Sequence, residues 1–233
     1  CLRFNGSHDP AVALIAAQAG EIYPGLTFEI TYTGSLGGLM ALAQGKADLV
    51  GCHLWDEESD TYNIPFVRKL LPGKPIVLVT LAQRRVGLLT PARNPARLSG
   101  LTDLVRPGLR FANRNPGSGT RVWLDAQLKK LGIQGNQIEG YHLEKATHYE
   151  VAQEIAEGRA DTGLGIEAAA LSFGLGFTLL TTETYELVIP AEKWQQPAVR
   201  ALVDWLNTPS AKTAILSLGG YDTTATGKTT WLN

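Results

Sequence analysis

The chain is short of several things that would place it quickly. It has two cysteines in 233 residues, Cys1 and Cys52, and so no disulfide framework. Read as strand residues of one lobe, Cys1 opens the first strand and Cys52 closes a later one. That placement does not bring them within bridging distance, and both are expected as free thiols. No run of lysine or arginine occurs and the formal net charge is −1, so neither a nucleic-acid groove nor a polybasic membrane patch is expected in this segment. No apolar stretch reaches bilayer length; Pro75 to Ala82 is apolar but short, as suits a buried strand. Solenoid repeats and low-complexity tracts are absent. His53 with Asp56 or Glu57 could supply metal ligands. His8, His142 and His148, however, have no i,i+4 or Cys-x-x-Cys companions, and no metal or cofactor is expected.

What remains is an ordinary globular composition, 44% hydrophobic, long enough for one large or two small domains. Its organising stretch is Phe111-Ala-Asn-Arg-Asn-Pro-Gly-Ser-Gly-Thr-Arg-Val-Trp-Leu124. Leu109 to Ala112 read as a short strand. Leu124, Leu128 and Leu131 recur at helical spacing until Gly132. The turn between them opens a helix, where the first backbone N–H groups lack intrahelical partners and the peptide dipoles present their positive end. Ser118, Gly119 and Thr120 can therefore offer amide and hydroxyl donors to one small anion, with Gly117 and Gly119 allowing close approach. Arg114 and Arg121 can aim charge at the same point. An ordinary N-capped turn with solvated arginines would read the same way.

Repetition separates the two. Leu2 to Asn5 reads as a strand turning through Gly6-Ser-His-Asp-Pro10 into a helix, with Asp9 as N-cap, Pro10 in the first helical position and Val12, Ile15, Ala16 and Ala19 inward. Leu26 to Tyr32 is a strand leading through Thr33-Gly-Ser35 into a second helix. Lys46 to Val50 is a third strand, ending at Gly51-Cys-His53. Ser7 and Ser35 are thus placed like Ser118, past a strand end at the mouth of a helix, which is the ligand-binding edge of an open parallel sheet.

Further along, Pro75 to Ala82 and Arg85 to Thr90 are strands in succession, which suits a crossing between two lobes near Gln83 to Val86. Gln137 to Leu143 is a strand and His148 to Glu157 a helix. Ala160 to Gly165 is a strand whose following helix begins at Ile166-Glu167. Glu167 faces the same edge as a further ligand candidate, although an acid there also serves the helix dipole. Phe177 to Leu180 and Tyr185 to Ile189 flank a return crossing near 181–185. A helix from Gln196 to Asn207, another from Ser210 to Leu218 and a turn-rich tail ending in Trp231 complete the chain. Lobe 1 is therefore expected over 1–84 and 184–233, and lobe 2 over 85–183.

A two-lobed α/β chain with two crossings and serine turns at helix starts resembles the type II periplasmic-binding-protein superfamily over nearly its whole length. Arg114-Asn-Pro-Gly-Ser-Gly-Thr120 is similar to the Arg-x-Asp-Gly-Ser-Gly-Thr motif of phosphate- and tungstate-binding proteins. That resemblance implies oxyanion contacts for Arg114, Ser118, Gly119 and Thr120. Gly6-Ser-His8 and Thr33-Gly-Ser35 look like the first two ligand turns of the same proteins, and Ala47-Asp-Leu-Val-Gly-Cys-His53 like the tungstate-type strand that ends in histidine. The overall likeness is greatest to the PBP-like domain fused to helix-turn-helix or molybdenum-cofactor biosynthesis domains, with its His-Leu-Trp-Asp-Glu, Pro-Gly-Ser-Gly-Thr-Arg and Gly-Gly-Tyr-Asp segments. It implies a cytoplasmic sensor with an attached DNA-binding domain. An ABC transporter partner and a periplasmic or lipid-anchored setting are the other option; Cys1 as first residue fits lipidation, but it runs into a strand without a tether.

One departure from the motif bears on the ligand. Pro116 stands where the phosphate motif has Asp, so no side-chain acceptor is available there for a protonated anion. A donor-only site favours a fully ionised dianion, and molybdate, tungstate or sulfate move ahead of phosphate; Arg114 and Arg121 favour net negative charge and leave a carboxylate ligand open. The expected function is non-enzymatic: lobes closing on a small oxyanion. A hydrolase using Ser118 or Cys52 with His53 or His148 is the rival from another class, and Gly-Ser-Gly-Thr lacks the Gly-x-Ser-x-Gly spacing of a nucleophile elbow.

Overall fold

A computed structural model describes residues Cys1–Asn233. In chain order the elements are β1 (Leu2–Gly6), α1 (Pro10–Ala17), the single turn α2 (Ala19–Ile22), β2 (Phe28–Tyr32), α3 (Gly34–Ala43), β3 (Leu49–Cys52), the two-residue β4 (Trp55–Asp56) and β5 (Thr61–Tyr62), and α4 (Ile64–Leu70). Then come β6 (Ile76–Thr90), β7 (Phe111–Arg114), α5 (Gly119–Lys130), β8 (Glu144–Lys145), α6 (His148–Ala156), β9 (Thr162–Ile166) and α7 (Glu167–Ser172). The last are β10 (Gly176–Pro190), α8 (Pro197–Leu206), α9 (Pro209–Leu216), β11 (Tyr221–Asp222) and β12 (Thr229–Leu232).

One mixed sheet runs β2-β1-β3-β10-β6-β9-β7-β8. Its two ends are parallel: β1 pairs with β2 and β3, and β7 with β8 and β9. Its centre is antiparallel, because β6 and β10, 15 residues each, pair along almost their whole length. The first half of β6 and the second half of β10 serve the β1–β3 end, where β10 pairs β3 through Glu186 to Val188. The second half of β6 serves the β9–β7–β8 end, through Val86 to Leu89. The expected strand pairs 75–82/85–90 and 177–180/185–189 are thus two uninterrupted strands. The register of β10 slips between Leu179 and Thr181 and again between Tyr185 and Glu186, on either side of the expected return crossing.

The burial pattern explains the continuity. Thirteen of the fifteen residues of β6 are buried, all but Gln83 and Arg85, and Arg84 is as buried as its apolar neighbours. A 43-residue apolar core runs through both halves of the sheet, and a second core of 12 residues lies beneath α3, α4 and β12. Asp9 caps α1 by accepting from the Ala11 amide at 2.7 Å, with Pro10 at the first helical position as expected. Val12 and Ile15 face inward.

Several boundaries move. The strand before the glycine-rich turn is Phe111–Arg114 and not 109–112, so Arg114 is the buried last residue of a strand. Leu131 is a half-exposed C-cap rather than part of the α5 stripe. The strand expected over 137–143 is a 3-10 turn and loop, with only Glu144–Lys145 paired to β7. The turn-rich tail contains β11 and β12, both laid antiparallel on β6. Cys1 and Cys52 are free, the first exposed and the second buried.

Helix α3 sits close on β1. A Cβ added at Gly38 would lie 2.7 Å from Gly6 Cα and 2.7 Å from Val50 Cγ1. Alanine in place of glycine favours a helix by about 1 kcal/mol, but overpacking a backbone contact costs about 1–3 kcal/mol. Gly38→Ala is expected to lower stability in urea unfolding, against helix propensity.

Candidate functional site

Four strand ends meet in the middle of the molecule. Ser7 follows β1, Ser35 opens α3, His53 follows β3, and Ser118 caps α5 by accepting from the Arg121 amide at 3.2 Å. The turns touch: the His53 amide donates to Ser35 Oγ at 3.2 Å and the Leu36 amide donates to the Gly117 carbonyl at 3.4 Å. Gly119 lies so close that a Cβ there would run into the His53 carbonyl and ring. All four of these serine and histidine side chains are fully buried.

Beneath the turns, at the crossing of β6 and β10, lies a buried charge network. The Arg84 guanidinium donates through Nε to Glu183 Oε1 at 2.5 Å and through Nη1 to Asp9 Oδ2. Glu183 Oε2 is 3.0 Å from His53 Nδ1, and His53 Nε2 is 2.7 Å from Ser7 Oγ. The Tyr221 hydroxyl donates to Asp9 at 3.0 Å, and the Tyr185 hydroxyl donates to the Ser7 carbonyl at 2.5 Å. Tyr185 also stacks on His53, centroids 5.7 Å apart, with Arg84 Cζ 4.8 Å from its ring centre.

Electrostatics follow from this burial. Desolvation pushes the Glu183 carboxyl up, but Arg84 and His53 outweigh it and hold it at about 2. Arg84 loses by burial and gains more from Glu183 and Asp9, so it stays charged. Arg114 has no carboxylate bonded to it: its Nε and Nη2 donate to the Lys145 and Ala146 carbonyls at 3.3 and 2.8 Å. Burial, with the Arg84 charge adding to it, lowers Arg114 to about 10. His148 is held well below its ordinary value by burial and then by Arg114 and Arg84. His8 falls to about 4, by burial first, with Asp9 opposing and both arginines adding.

Several buried polar atoms here have no partner: Arg84 Nη2, Arg114 Nη1, Thr120 Oγ1, Asn115 Oδ1, His8 Nδ1 and both ring nitrogens of His148. Native interiors rarely leave such groups unpaired. Two guanidinium N–H groups on mutually repelling cations, with the Thr120 hydroxyl, form a donor set with the chemistry of an anion site.

The structure brings together Ser7, Ser35, His53, Arg114, Ser118, Gly119 and Thr120 of the expected residues. His8 packs edge-on between Tyr32 and Tyr149, at 4.9 and 5.4 Å. Two expected ligands are placed elsewhere. Arg121 turns its guanidinium to Asp125 at 2.9 Å and to the Arg114 carbonyl at 3.1 Å, over the Tyr141 ring, so its charge is already compensated. Glu167 ion-pairs with Arg85 at 2.9 Å, on the side of the crossing strands next to Gly220. Arg84, Glu183, Tyr185 and Tyr221 contact this cluster and were not expected there. The available signal was a pair of opposite charges at the two crossings, one inside an apolar strand. Of the rival nucleophiles, burial pushes the Cys52 thiol up to about 12, and no imidazole bonds Ser118; the imidazole that reaches a serine is His53, on Ser7.

A mixed sheet with two crossing strands, and a set of buried, unpartnered donors beneath the helix mouths, has the features of a binding-protein architecture. Residues 16–207 match the family described as PBP superfamily domain, and the chain belongs to it. It is similar to the uncharacterised protein YvgK of Bacillus subtilis, 38% identical over 197 residues, which cover 84% of this chain; the chain spans 63% of that protein's length. It is also similar to the molybdate-binding protein ModA of Mycobacterium tuberculosis, 27% identical over 222 residues, covering 88% of this chain and 78% of that one. Among solved structures, the tungstate ABC transporter from Geobacter sulfurreducens superposes with a TM-score of 0.65 at 15% identity, covering 93% and 97% of the two chains, a likeness of fold. The cytoplasmic setting and the helix-turn-helix partner expected from the sequence draw no support from these relatives. No helix is long and apolar enough to cross a membrane.

Glu183 ties site to stability. Its folded value lies below the ordinary 4.5, so its contribution is present above pH 4.5 and is lost as pH falls towards about 2. Glu183→Gln, which leaves Arg84 and His53 without their shared charge partner, is expected to cost about 3–5 kcal/mol at pH 7. It should also flatten the acid limb of melting temperature against pH, measured by circular dichroism.

Proposed function

We propose that the domain binds a small tetrahedral oxyanion, molybdate or tungstate ahead of sulfate, phosphate or a carboxylate, in a cleft between lobe 1 (1–84 and 184–233) and lobe 2 (85–183). The observation that carries this is the set of buried, unpartnered donors from both sides of the crossing: Arg84 Nη2, Arg114 Nη1 and Thr120 Oγ1. An anion placed among them would pair two guanidinium charges that now repel each other, and preorganised donors lose little on binding. Ser118 and the α5 N-terminus add amide donors. The ModA relative supports molybdate, and Pro116 removes the acceptor that a protonated anion would use at that turn. Closure would bend β6 near 83–86 and β10 near 181–185; the two register slips of β10 bracket that segment, and irregular pairing is where a strand bends most readily. The domain would serve an ABC transporter or report anion level to an attached regulatory domain such as a helix-turn-helix, as a ligand-binding and not a catalytic unit.

One observation favours a second reading, a hydrolase: Ser7, His53 and Glu183 are linked in the order of a nucleophile, base and orienting acid. Against it, Glu183 is shared with Arg84, so the orienting acid is already committed to a guanidinium. Turnover of activated esters that disappears in Ser7→Ala would favour the hydrolase.

Thr120→Val removes an unbonded hydroxyl at nearly constant shape. It is expected to weaken molybdate or tungstate binding about tenfold, or about 1.4 kcal/mol, without lowering the melting temperature of the anion-free protein. Arg114→Ala should weaken binding at least as much. Calorimetry showing unchanged affinity in both variants, or no binding of any of the four inorganic anions to the parent, would overturn the assignment.

A further inference from the structure

Ionised Glu183 can only accept hydrogen bonds, and it accepts from Arg84 through one oxygen and faces His53 Nδ1 through the other. His53 Nδ1 therefore carries a hydrogen in either charge state of the ring. The state of Nε2, 2.7 Å from Ser7 Oγ, is what varies. When the ring is neutral, Nε2 is bare and takes the Ser7 hydroxyl hydrogen, leaving Ser7 Oγ only lone pairs for a ligand. When the ring is an imidazolium, Nε2–H donates to Ser7 Oγ and the hydroxyl hydrogen is free to point elsewhere. No other side chain bonds Ser7 Oγ, so His53 alone decides whether this hydroxyl gives or receives.

Charge balance selects between these states. The groups facing His53 are Glu183 and Tyr185 from β10, Arg84 from β6, Arg114 from β7, His148 from α6 and His8 after β1, with Asp9 beyond Arg84. Among them two guanidinium charges balance two carboxylates. Burial, the largest influence, holds the His53 ring below its ordinary value despite Glu183, so the ring starts neutral. A bare dianion adds two negative charges and offers only acceptors; it meets Ser7 lone pairs unless a proton arrives.

We propose, resting on the oxyanion-binding function above, that His53 is the residue that sets anion selectivity: a fully ionised dianion draws one proton from solvent onto Nε2, turning Ser7 from acceptor to donor. An anion that brings its own hydrogen, such as monohydrogen phosphate, gives that hydrogen to Ser7 and is held with His53 neutral. The proton enters from bulk solvent, the Ser7 O–H rotates, and no bond to the anion is made or broken.

The experiment is calorimetric titration of the whole domain with molybdate, or with tungstate if molybdate gives no heat, in buffers of different ionisation enthalpy between about pH 6.5 and 8.5. Uptake approaching one proton per anion is expected, with affinity falling up to about tenfold per pH unit as pH rises. Monohydrogen phosphate at pH 8, if it binds, should take up none. His53→Gln, whose carboxamide nitrogen can donate to Ser7 permanently, should bind molybdate with no uptake and a flat pH profile, while His8→Gln and His148→Gln keep the uptake. Binding to the parent without proton exchange would overturn the inference and leave the oxyanion function standing. Uptake that persists in His53→Gln, or is lost in His8→Gln or His148→Gln, would also overturn it. Should His53→Gln not fold, the parent titration and the two remaining histidine variants decide. Absence of any anion binding removes both.

Discussion

The Arg84 guanidinium, buried in the middle of the long strand β6 and shared between Asp9 and Glu183, is the constraint on which the rest of the structure depends. A charge in that position is tolerable only with partners on hand, and the partners come from distant parts of the chain. Asp9 is the N-cap of α1, Glu183 comes from the neighbouring crossing strand, and Tyr221 arrives from near the C-terminus to bond Asp9. Each of these groups does a second job. Asp9 orients the first helix, Glu183 fixes the His53 ring, and β11 holds Tyr221 by pairing directly with Gln83 and Arg84. The site is therefore not grafted on a finished fold; the same contacts close the chain onto itself.

Small residues let the turns come this close. Gly38 of α3 rests on Gly6 of β1, and Gly51 leaves room where a Cβ would meet the Tyr185 hydroxyl. Gly119 lets the α5 N-terminus lie against His53. These contacts bring a helix from beyond the crossing strands against a turn from before them, which gives a buried anion donors from both sides with little side-chain freedom left to lose. Placing the donors on strand ends and helix caps rather than on long loops serves the same end.

Much of this was legible in the sequence. Asp9-Pro10, the Gly-Ser-Gly turn at Ser118 and the inward stripe of α1 follow from local chemistry that acts over a few residues. The convergence of Ser7, Ser35, His53 and Ser118 followed from a topology in which strand ends share an edge. What was not legible depends on where side chains point at long range. Arg121 looked equivalent to Arg114, seven residues away across the glycine-rich turn, yet Asp125 four residues on and Tyr141 from another segment claim it. Glu167 met the expectation of a helix-mouth acid but faces Arg85. Arg84 and Glu183 were hidden by their setting, since a lone charge in a strand reads as an edge or a hinge until its partner across the sheet is known.

The ligand argument changes in kind for the same reason. From sequence, Pro116 in place of an aspartate made the site one of donors only, and anion choice followed from the absence of an acceptor. The structure supplies a hydroxyl whose polarity is not fixed, because His53 bonds it and Glu183 holds the far side of that ring. An acceptor written into the motif discriminates between anions at every pH where it stays ionised. An acceptor that exists only while an imidazole is neutral ties discrimination to the protonation of the protein, and puts the choice of anion on the ring that shares the Glu183 carboxylate with Arg84.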